Sequence, residues 1–346
     1  MIGTDSLSGA GGPAIAALVV VAAAAAISFG ILVILRPMLQ RHALAHPNAR
    51  SSHKVPTPQG GGIGVVVATL LVGLAAFALW ASLELGTLSV VLSAAVLIAV
   101  VGGLDDVYTI PVLPRLALQA VAIAIVLTAL PNGLRLLPIL PGWAERVLLL
   151  IALLWFVNLV NFMDGLDWIT VAEMVPVTAG VALIGALGVL SGGETIMALA
   201  LCGALAGFAP LNRPVAKIFL GDVGSLAIGL LVGWLLALTA LRGHLAAALL
   251  LPLYYLADAS ITLLRRLARG EPIWRAHRTH FYQRATEHGW SVLQIVGRVF
   301  FVNIVLAALA VATIVWPGVG AQLGAMVVGT AVVAALLYAL SRDARA

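Results

Sequence analysis

The sequence predicts an all-α protein that crosses a membrane about eleven times, with ten crossings as the alternative. Of its 346 residues, 62% are hydrophobic and 10% are charged, whereas about 25% of the residues in soluble domains are charged. Apolar runs of about 20 residues, the length of a helix that spans a bilayer, recur along the whole chain. This composition excludes a water-soluble globular protein, and the spans leave no room for a sizeable soluble domain.

The apolar runs and the Gly, Pro and charged residues between them predict the spans in order. We treat all of them as one membrane-embedded domain over residues 1–346. The first run is interpreted as a retained helix, because Asp5 stands where a signal peptide has basic residues. The spans lie at residues 14–36, 61–81, 87–104, 115–131, 144–160, 169–190, 195–210, 224–241, 243–264, 295–316 and 319–340.

The distribution of basic residues predicts the orientation. With the N-terminus outside and the C-terminus in the cytoplasm, sixteen of the 19 Lys and Arg residues lie on or beside the inner face. Only Arg135, Arg146 and Arg242 then lie outside. This bias explains the net charge of +5 without a nucleic-acid partner. The inward segments, which we expect to form the active site, are 37–60, 105–114, 161–168, 211–223 and 265–294.

Adjacent carboxylates close the third span. Asp105 and Asp106 stand side by side, and Arg115 follows nine residues after the second of them. Neighbouring acids repel each other, so a divalent cation or a basic group usually stabilises them. The alternative is a pair of solvated acids at a helix end.

A second polar cluster has a strict spacing of three residues: Asn158, Asn161, Asp164 and Asp167. On a straight helix these side chains would spread over half of the circumference, so we expect a turn at Gly165 that lets them converge. Amide and carboxylate oxygens suit Mg²⁺ or Mn²⁺ and suit zinc poorly. The alternative, a polar turn between two spans, explains one or two of these residues but not four.

An acid between two glycines precedes the eighth span, in the sequence Gly221-Asp222-Val223-Gly224-Ser225. Glycines allow a ligand to approach the backbone closely, and free N–H groups at a helix start favour anions. The motif alone is a weak signal. It becomes more informative because it lies on the same predicted inner face of the membrane as the other two acidic clusters.

Two inward loops carry basic residues and histidines. His277, His280 and Arg284 lie in the longer loop, where a third soft metal ligand is missing, so hydrogen-bonding and anion-binding roles are favoured. The orientation bias alone would also explain the arginines of this loop. In the other loop, Lys54 and the backbone of residues 60–62 contact phosphate or simply form a turn.

One acid lies inside a predicted span. Asp258 stands about six residues from the inner end of the ninth span, and an acid within a membrane needs a partner. We expect Arg265 or Arg266 to pair with it, and we interpret Asp258 as a structural residue.

In order and register, these motifs resemble the polyprenyl-phosphate sugar-1-phosphate transferase family over residues 36–290. The matching segments are the Pro-Thr-Pro-Gln-Gly-Gly loop at 56–61, Asp-Asp at 105–106, Asn-x-x-Asn-x-x-Asp-Gly-x-Asp at 158–167, Gly-Asp-x-Gly-Ser at 221–225 and the His-rich loop at 277–284. The last loop looks most similar to the subgroup that initiates O-antigen or other surface glycans, which includes enzymes that use UDP-FucNAc or UDP-QuiNAc.

The resemblance implies an enzyme of the bacterial inner membrane with its active site on the cytoplasmic face. It would transfer an N-acetylhexosamine 1-phosphate from a UDP-sugar to undecaprenyl phosphate and release UMP, with Mg²⁺ as cofactor and Mn²⁺ as the alternative metal. Whether the protein forms a homodimer is left open by the resemblance. The alternative functions are a membrane transporter or translocator of lipid-linked sugar and an inert scaffold.

The resemblance also implies roles for individual residues. Asn161 and Asp222 would hold the metal. Asp105 or Asp106 would deprotonate or orient the lipid phosphate, and Arg115 occupies a position where relatives often have a lysine that contacts these acids or the phosphates. We expect a lipid phosphate oxygen to attack the β-phosphorus of the UDP-sugar in one in-line displacement; a double displacement through an aspartyl-phosphate is the alternative.

The remaining roles concern the substrates. Asp164 and Asp167 would line the nucleotide or metal site, and Trp168 departs from the family pattern because it replaces the glycine that usually follows. The residues expected to bind substrate are Lys54, Asn158, His277, His280 and Arg284.

Overall fold

A computed structural model describes residues 12–45, 56–80, 85–131, 133–272 and 277–344. It confirms the predicted all-α membrane protein, because nearly every described element is a helix. The helices are α1 (Gly12–His42), α2 (Gly62–Trp80), α3 (Leu85–Tyr108), α4 (Val112–Thr128), α5 (Gly142–Met163), α6 (Ile169–Ala186), α7 (Gly192–Asn212), α8 (Asp222–Leu241), α9 (Leu245–Leu250), α10 (Leu253–Ala268), α11 (Phe281–Glu287), α12 (Val292–Val315) and α13 (Val319–Leu340).

Within the described residues, nine helices are long and apolar enough to cross a membrane. They are α1, α2, α3, α5, α6, α7, α8, α12 and α13. Helix α4 is apolar but has only 17 residues. These ten helices correspond to ten of the eleven predicted spans, so hydropathy located them correctly to within a few residues.

The predicted ninth span is wrong as one continuous helix. The chain forms the short α9, breaks at Leu251 and Pro252, and resumes as α10. Proline has no N–H group and disrupts a helix interior. The N–H of Tyr255, in the first turn of α10, donates instead to Glu173 Oε1 on α6 at 3.3 Å. A carboxylate from a neighbouring helix therefore satisfies a backbone donor that the break releases.

The two short strands lie between α1 and α2. β1 (Leu44–Ala45) pairs antiparallel with β2 (Thr57–Pro58), with Leu44 opposite Pro58. The next residue, Gln59, forms an isolated parallel bridge with Phe219. The segment before α2 is thereby joined to the segment before α8.

Helix α8 lies at the centre of the bundle and is buried along its whole length. It packs against α2, α3, α5 and α9. It begins where α3 and α5 end, so their terminal side chains meet its first residue, Asp222. The α2 and α8 starts approach closely, because a Cβ atom on Gly62 would lie 2.1 Å from the Cα of Gly224. We call this end of the bundle the acidic end.

Candidate active site

Asp222 is the first residue of α8 and has Asn161 of α5 as its neighbour. Asn161 Nδ2 donates to Asp222 Oδ1 at 2.7 Å and to Ser225 Oγ at 2.9 Å. Because α5 ends two residues after Asn161, the amide reaches across the helix ends. The structure thus brings together the two residues to which the sequence analysis assigns a metal.

Asp105 and Arg115 complete this cluster. Arg115 Nη1 lies 2.6 Å from Asp105 Oδ2 and 3.9 Å from Asp222 Oδ2. The carboxyl groups of Asp105 and Asp222 therefore face the same guanidinium nitrogen from two different helices. One guanidinium therefore contacts acids from α3 and α8, and two carboxyl groups meet at one point.

Asp106 faces the start of α8 instead. Its carboxylate oxygens accept the backbone N–H groups of Asp222, at 2.9 Å, and of Val223, at 3.2 Å. These are orphan donors of the first helical turn, and an acid is favoured there. Gly221 has φ of +76°, and a Cβ on it would lie 2.6 Å from Asp106 Oδ2. Asp106 holds Asp222 in place, and Gly221 makes room for it.

Asp164 lies in the turn after α5. Thr170 Oγ1 donates to its Oδ1 at 2.5 Å, and the Thr170 hydroxyl lies 3.4 Å from the Tyr255 hydroxyl. Burial raises the pKa of Asp164 to about 7, against the opposing effect of the Thr170 hydrogen bond, and the charges of Asp106 and Asp167 add to the rise. Asp164 nevertheless keeps part of its surface exposed, so solvent can reach this residue.

This pKa predicts a pH dependence of stability. Between about pH 4 and pH 7 the folded protein binds more protons at Asp164 than the unfolded chain, so stability falls as the pH rises through this window. We expect metal-free wild type in detergent to melt at a lower temperature at about pH 8 than at about pH 6. Asp164→Asn should reduce this difference, and the exposed Asp343→Asn should leave it unchanged. An undiminished difference in Asp164→Asn would contradict the assignment.

The other two members of the Asn-Asp cluster point elsewhere. Asn158 is buried, and its Nδ2 donates to Gln119 Oε1 of α4 at 2.7 Å. Asp167 is also buried, and its Oδ2 accepts the N–H of Ala216 at 2.9 Å. The predicted turn at Gly165 exists, but it does not bring all four side chains to one point. The contacts of Asn158 and Asp167 favour structural roles over those assigned from the sequence.

The His-rich loop contacts the turn that follows α5. The Tyr282 hydroxyl donates to the carbonyl of Phe162 at 3.3 Å, and a Cβ on Gly165 would lie 2.3 Å from that hydroxyl. His277 and His280 stack with ring centroids 4.9 Å apart. Arg284 is exposed on α11. The structure therefore places the predicted histidines beside the turn that carries Asp164.

Asp258 has a different partner from the one predicted. His280 Nδ1 lies 3.1 Å from Asp258 Oδ1, whereas Arg266 pairs with Glu271 at 3.0 Å and Arg265 lies over the Phe281 ring. The prediction of Arg265 or Arg266 was wrong because it considered only residues further along α10, and the partner comes from the following loop.

The residues that form this site lie in a segment that is similar to known proteins. Residues 88–240, which include α8 and the ends of α3 and α5, match the family described as glycosyl transferase family 4. The chain is 30% identical over 338 residues to the decaprenyl-phosphate N-acetylglucosaminephosphotransferase of Mycolicibacterium smegmatis, covering 86% of this chain and 81% of that one. The chain belongs to glycosyl transferase family 4.

Two further proteins are similar to this chain. One is the probable undecaprenyl-phosphate N-acetylglucosaminyl 1-phosphate transferase of Bacillus subtilis, 26% identical over 308 residues, with 81% of this chain and 83% of that one covered. The other is the phospho-N-acetylmuramoyl-pentapeptide-transferase of Limosilactobacillus fermentum, 31% identical over 186 residues, with 51% and 54% covered. The family prediction is confirmed, whereas the surface-glycan subgroup stays a prediction.

The Gly-rich loop of the family motif is used structurally in this chain. The N–H groups of Gly61 and Gly62 donate to the carbonyls of Phe219 and Leu220, both at 2.8 Å. These two amides are therefore occupied, which favours the turn over phosphate binding, the two alternatives that the sequence left open. Lys54, the substrate-binding residue predicted beside them, lies outside the described residues.

Trp168 shows how this family member departs from the usual glycine. Its φ of +65° lies in the left-handed region, which glycine adopts without strain and tryptophan does not. The indole Nε1 donates to the Ala209 carbonyl at 2.6 Å, and the backbone N–H donates to Asn212 Oδ1 at 2.8 Å. These two bonds to α7 hold the turn in this conformation.

Sequence reasoning missed three polar residues around the site. Thr170 contacts Asp164, Glu173 is fully buried against Asn303 and Tyr255, and Gln283 is buried with an amide oxygen that finds no partner among the described residues. The test applied to Asp258, an acid within an apolar run, would also have found Glu173. No sequence signal distinguished the other two.

The described part of the chain contains no group of three or more His, Cys, Asp or Glu side chains arranged to hold a metal ion. The acidic end therefore offers two carboxylates, from Asp105 and Asp222, and the nearby Asn161 amide. Mg²⁺ is commonly bound by one or two carboxylates and completes its octahedron with water and substrate phosphates. The donor set at the acidic end fits such an ion and does not form a closed metal cage.

Proposed function

We propose that the protein transfers an N-acetylhexosamine 1-phosphate from a UDP-sugar to undecaprenyl phosphate and releases UMP. The observation that carries the proposal is the meeting of Asp105 and Asp222 under one guanidinium, that of Arg115, at the acidic end. The names of the similar proteins describe transfer of this kind to polyprenyl phosphates. The proposed reaction is the first membrane step of a cell-surface glycan such as an O-antigen.

An unpartnered donor supports phosphate binding at this point. Arg115 Nε is buried and has no hydrogen-bond partner among the described residues, although Nη1 is paired with Asp105. A guanidinium binds phosphate oxygens through several N–H groups at once. The orphan N–H is therefore suited to a phosphate oxygen of either substrate.

The proposed cofactor is Mg²⁺, with Mn²⁺ as the alternative. Asp222 and Asn161, which the 2.7 Å hydrogen bond joins, would hold it. Such an ion would neutralise charge that develops during phosphoryl transfer.

The proposed step is one in-line displacement. An oxygen of undecaprenyl phosphate attacks the β-phosphorus of the UDP-sugar, the bond from that phosphorus to the oxygen bridging the α-phosphate breaks, and UMP leaves with the bridging oxygen. Asp105 orients or deprotonates the attacking phosphate, and Arg115 binds its charge. Phosphoryl transfer asks mainly for such positioning and charge stabilisation.

The proposed location is the bacterial inner membrane with the acidic end toward the cytoplasm. The distribution of basic residues supports this orientation, and a cytosolic nucleotide and a lipid phosphate meet at that depth. A transporter would place its polar site nearer the bilayer midplane, whereas Asp105, Asn161 and Asp222 all lie at helix ends.

A donor panel tests the function. Purified protein, undecaprenyl phosphate and Mg²⁺ are incubated with UDP-GlcNAc, UDP-GalNAc, UDP-FucNAc or UDP-QuiNAc, and lipid products are identified by mass. We expect one donor to give a lipid heavier by one sugar phosphate, together with an equal amount of UMP, and EDTA to stop the reaction. Folded protein that forms no such lipid with any of the donors would contradict the proposal.

A further inference from the structure

Asp258 is the most fully hydrogen-bonded acid outside the acidic end. It is completely buried in α10 and has five neighbours within hydrogen-bonding distance. The distances are between 3.1 and 3.4 Å. The neighbours are Tyr254 Oη, Thr262 Oγ1, His280 Nδ1, Phe281 N and Tyr282 N.

Four of these contacts define which atom carries the proton on His280. Asp258 Oδ1 accepts the backbone N–H of Phe281, and Oδ2 accepts that of Tyr282. The hydroxyls of Tyr254 and Thr262 also donate to Asp258, so four donors surround it, and as a carboxylate it can only accept. The Nδ1 atom of His280, 3.1 Å from Oδ1, must therefore donate its proton to Asp258. Nε2 is then the ring nitrogen left for a substrate.

The same carboxylate also places the imidazole. Phe281 and Tyr282 form the first turn of α11, so Asp258 fixes the start of that helix from α10. Tyr282 in turn contacts the Phe162 carbonyl and the Gly165 backbone. His280 is 2% exposed, so its ring is held by packing and by one acid beside the turn that carries Asp164.

We propose that Asp258 is a positioning residue that sets the tautomer and orientation of His280, so that Nε2 contacts the diphosphate of the sugar nucleotide. The arrangement is the same as that of a metal- or proton-handling histidine whose second nitrogen is fixed by a carboxylate. The inference rests on the proposed function for the identity of the ligand. The pairing itself rests only on the contacts of Asp258.

The experiment compares Asp258→Asn, His280→Ala and the double variant, with Tyr254→Phe as the matched control. Tyr254→Phe removes one neighbour of Asp258 and leaves His280 untouched. Asp258→Asn and His280→Ala should each reduce kcat/KM by about 10- to 100-fold, as outer carboxylates of histidine sites do. The double variant should lose no more than the worse single variant, and Tyr254→Phe should stay within twofold of wild type.

A spectroscopic readout separates this inference from the proposed function. The ¹⁵N shifts of His280, assigned by comparison with His280→Ala, should show the Nδ1–H tautomer in wild type and a changed proton position in Asp258→Asn. This result is expected even if the wild type transfers no sugar phosphate, in which case only the proposed function fails. The wild-type spectrum also decides the matter if Asp258→Asn does not fold.

Two results would overturn the positioning role. One is a wild-type His280 protonated only at Nε2, because Asp258 would then have no Nδ1 proton to accept. The other is a double variant whose loss equals the product of the two single losses, because the residues would then act independently.

Discussion

Asp222→Asn is expected to abolish transfer while leaving the bundle folded. The amide keeps the size of the side chain and one oxygen that accepts from Asn161 Nδ2, so the α5–α8 contact survives. It removes the negative charge that would hold a divalent ion beside Asp105. We expect turnover to fall by at least about 10²- to 10³-fold, the usual effect of removing a group that stabilises transition-state charge.

The measurement is the rate of UMP release at saturating UDP-sugar and Mg²⁺, with the melting temperature recorded for each variant. Ser225→Ala is the matched control, because it removes the other acceptor of Asn161 Nδ2 without changing the charge. We expect it to retain at least about a tenth of the wild-type rate, since a neutral hydrogen bond contributes about 1 kcal/mol. If Asp222→Asn turns over as fast as Ser225→Ala, Asp222 does not bind the metal.

Gly62→Ala should have the largest effect on stability. The added Cβ would lie 2.1 Å from Gly224 Cα and 2.2 Å from its nitrogen, and neither backbone atom can move aside as a side chain could. The starts of α2 and α8 must then separate. Overpacking of this kind costs about 1–3 kcal/mol or more, and the strain falls two residues from Asp222. We expect a lower melting temperature and a greatly reduced rate.

Gly30→Ala is the control for this variant. Gly30 lies within α1, and a Cβ there meets no atom within 4 Å. Alanine is about 1 kcal/mol better than glycine in a helix interior, so this variant should be as stable as wild type or more stable. Fluorescence-detected size exclusion and thermal melting in the same detergent compare the two. Equal melting temperatures for both variants would show that α2 and α8 accommodate the added methyl group, and would contradict the prediction.

Much of the fold follows from hydropathy alone. A membrane helix must be apolar over its whole length, so each span carries its own signal and needs no knowledge of its neighbours. The break at Pro252 was missed because the hydropathy of the apolar run is an average over about 20 residues, and one proline hardly changes it. The donor released there is satisfied by Glu173, which lies about 80 positions earlier in the sequence, and no local pattern could reveal that pairing.

The site was less predictable than the fold. Asp105, Asn161 and Asp222 each close or open a helix at the acidic end, so their sequence positions already placed them together. The roles assigned to Asn158 and Asp167 stay predictions. Their observed partners, Gln119 on α4 and a loop 49 residues from Asp167, are distant in sequence, so the local pattern could not reveal them.

The burial of α8 has a consequence for how the protein is made. Its mean hydropathy of 2.1 hardly differs from the 2.2 of α13, although 100% of the α8 window and only 28% of the α13 window is buried. Helix α9, which packs against α8, is translated after it. We therefore expect α8 to face lipid during synthesis on a surface that the finished protein encloses. A charged residue there, even one well partnered in the mature bundle, would hinder release into the bilayer, and the only charged side chain of this helix, Asp222, lies in its first turn.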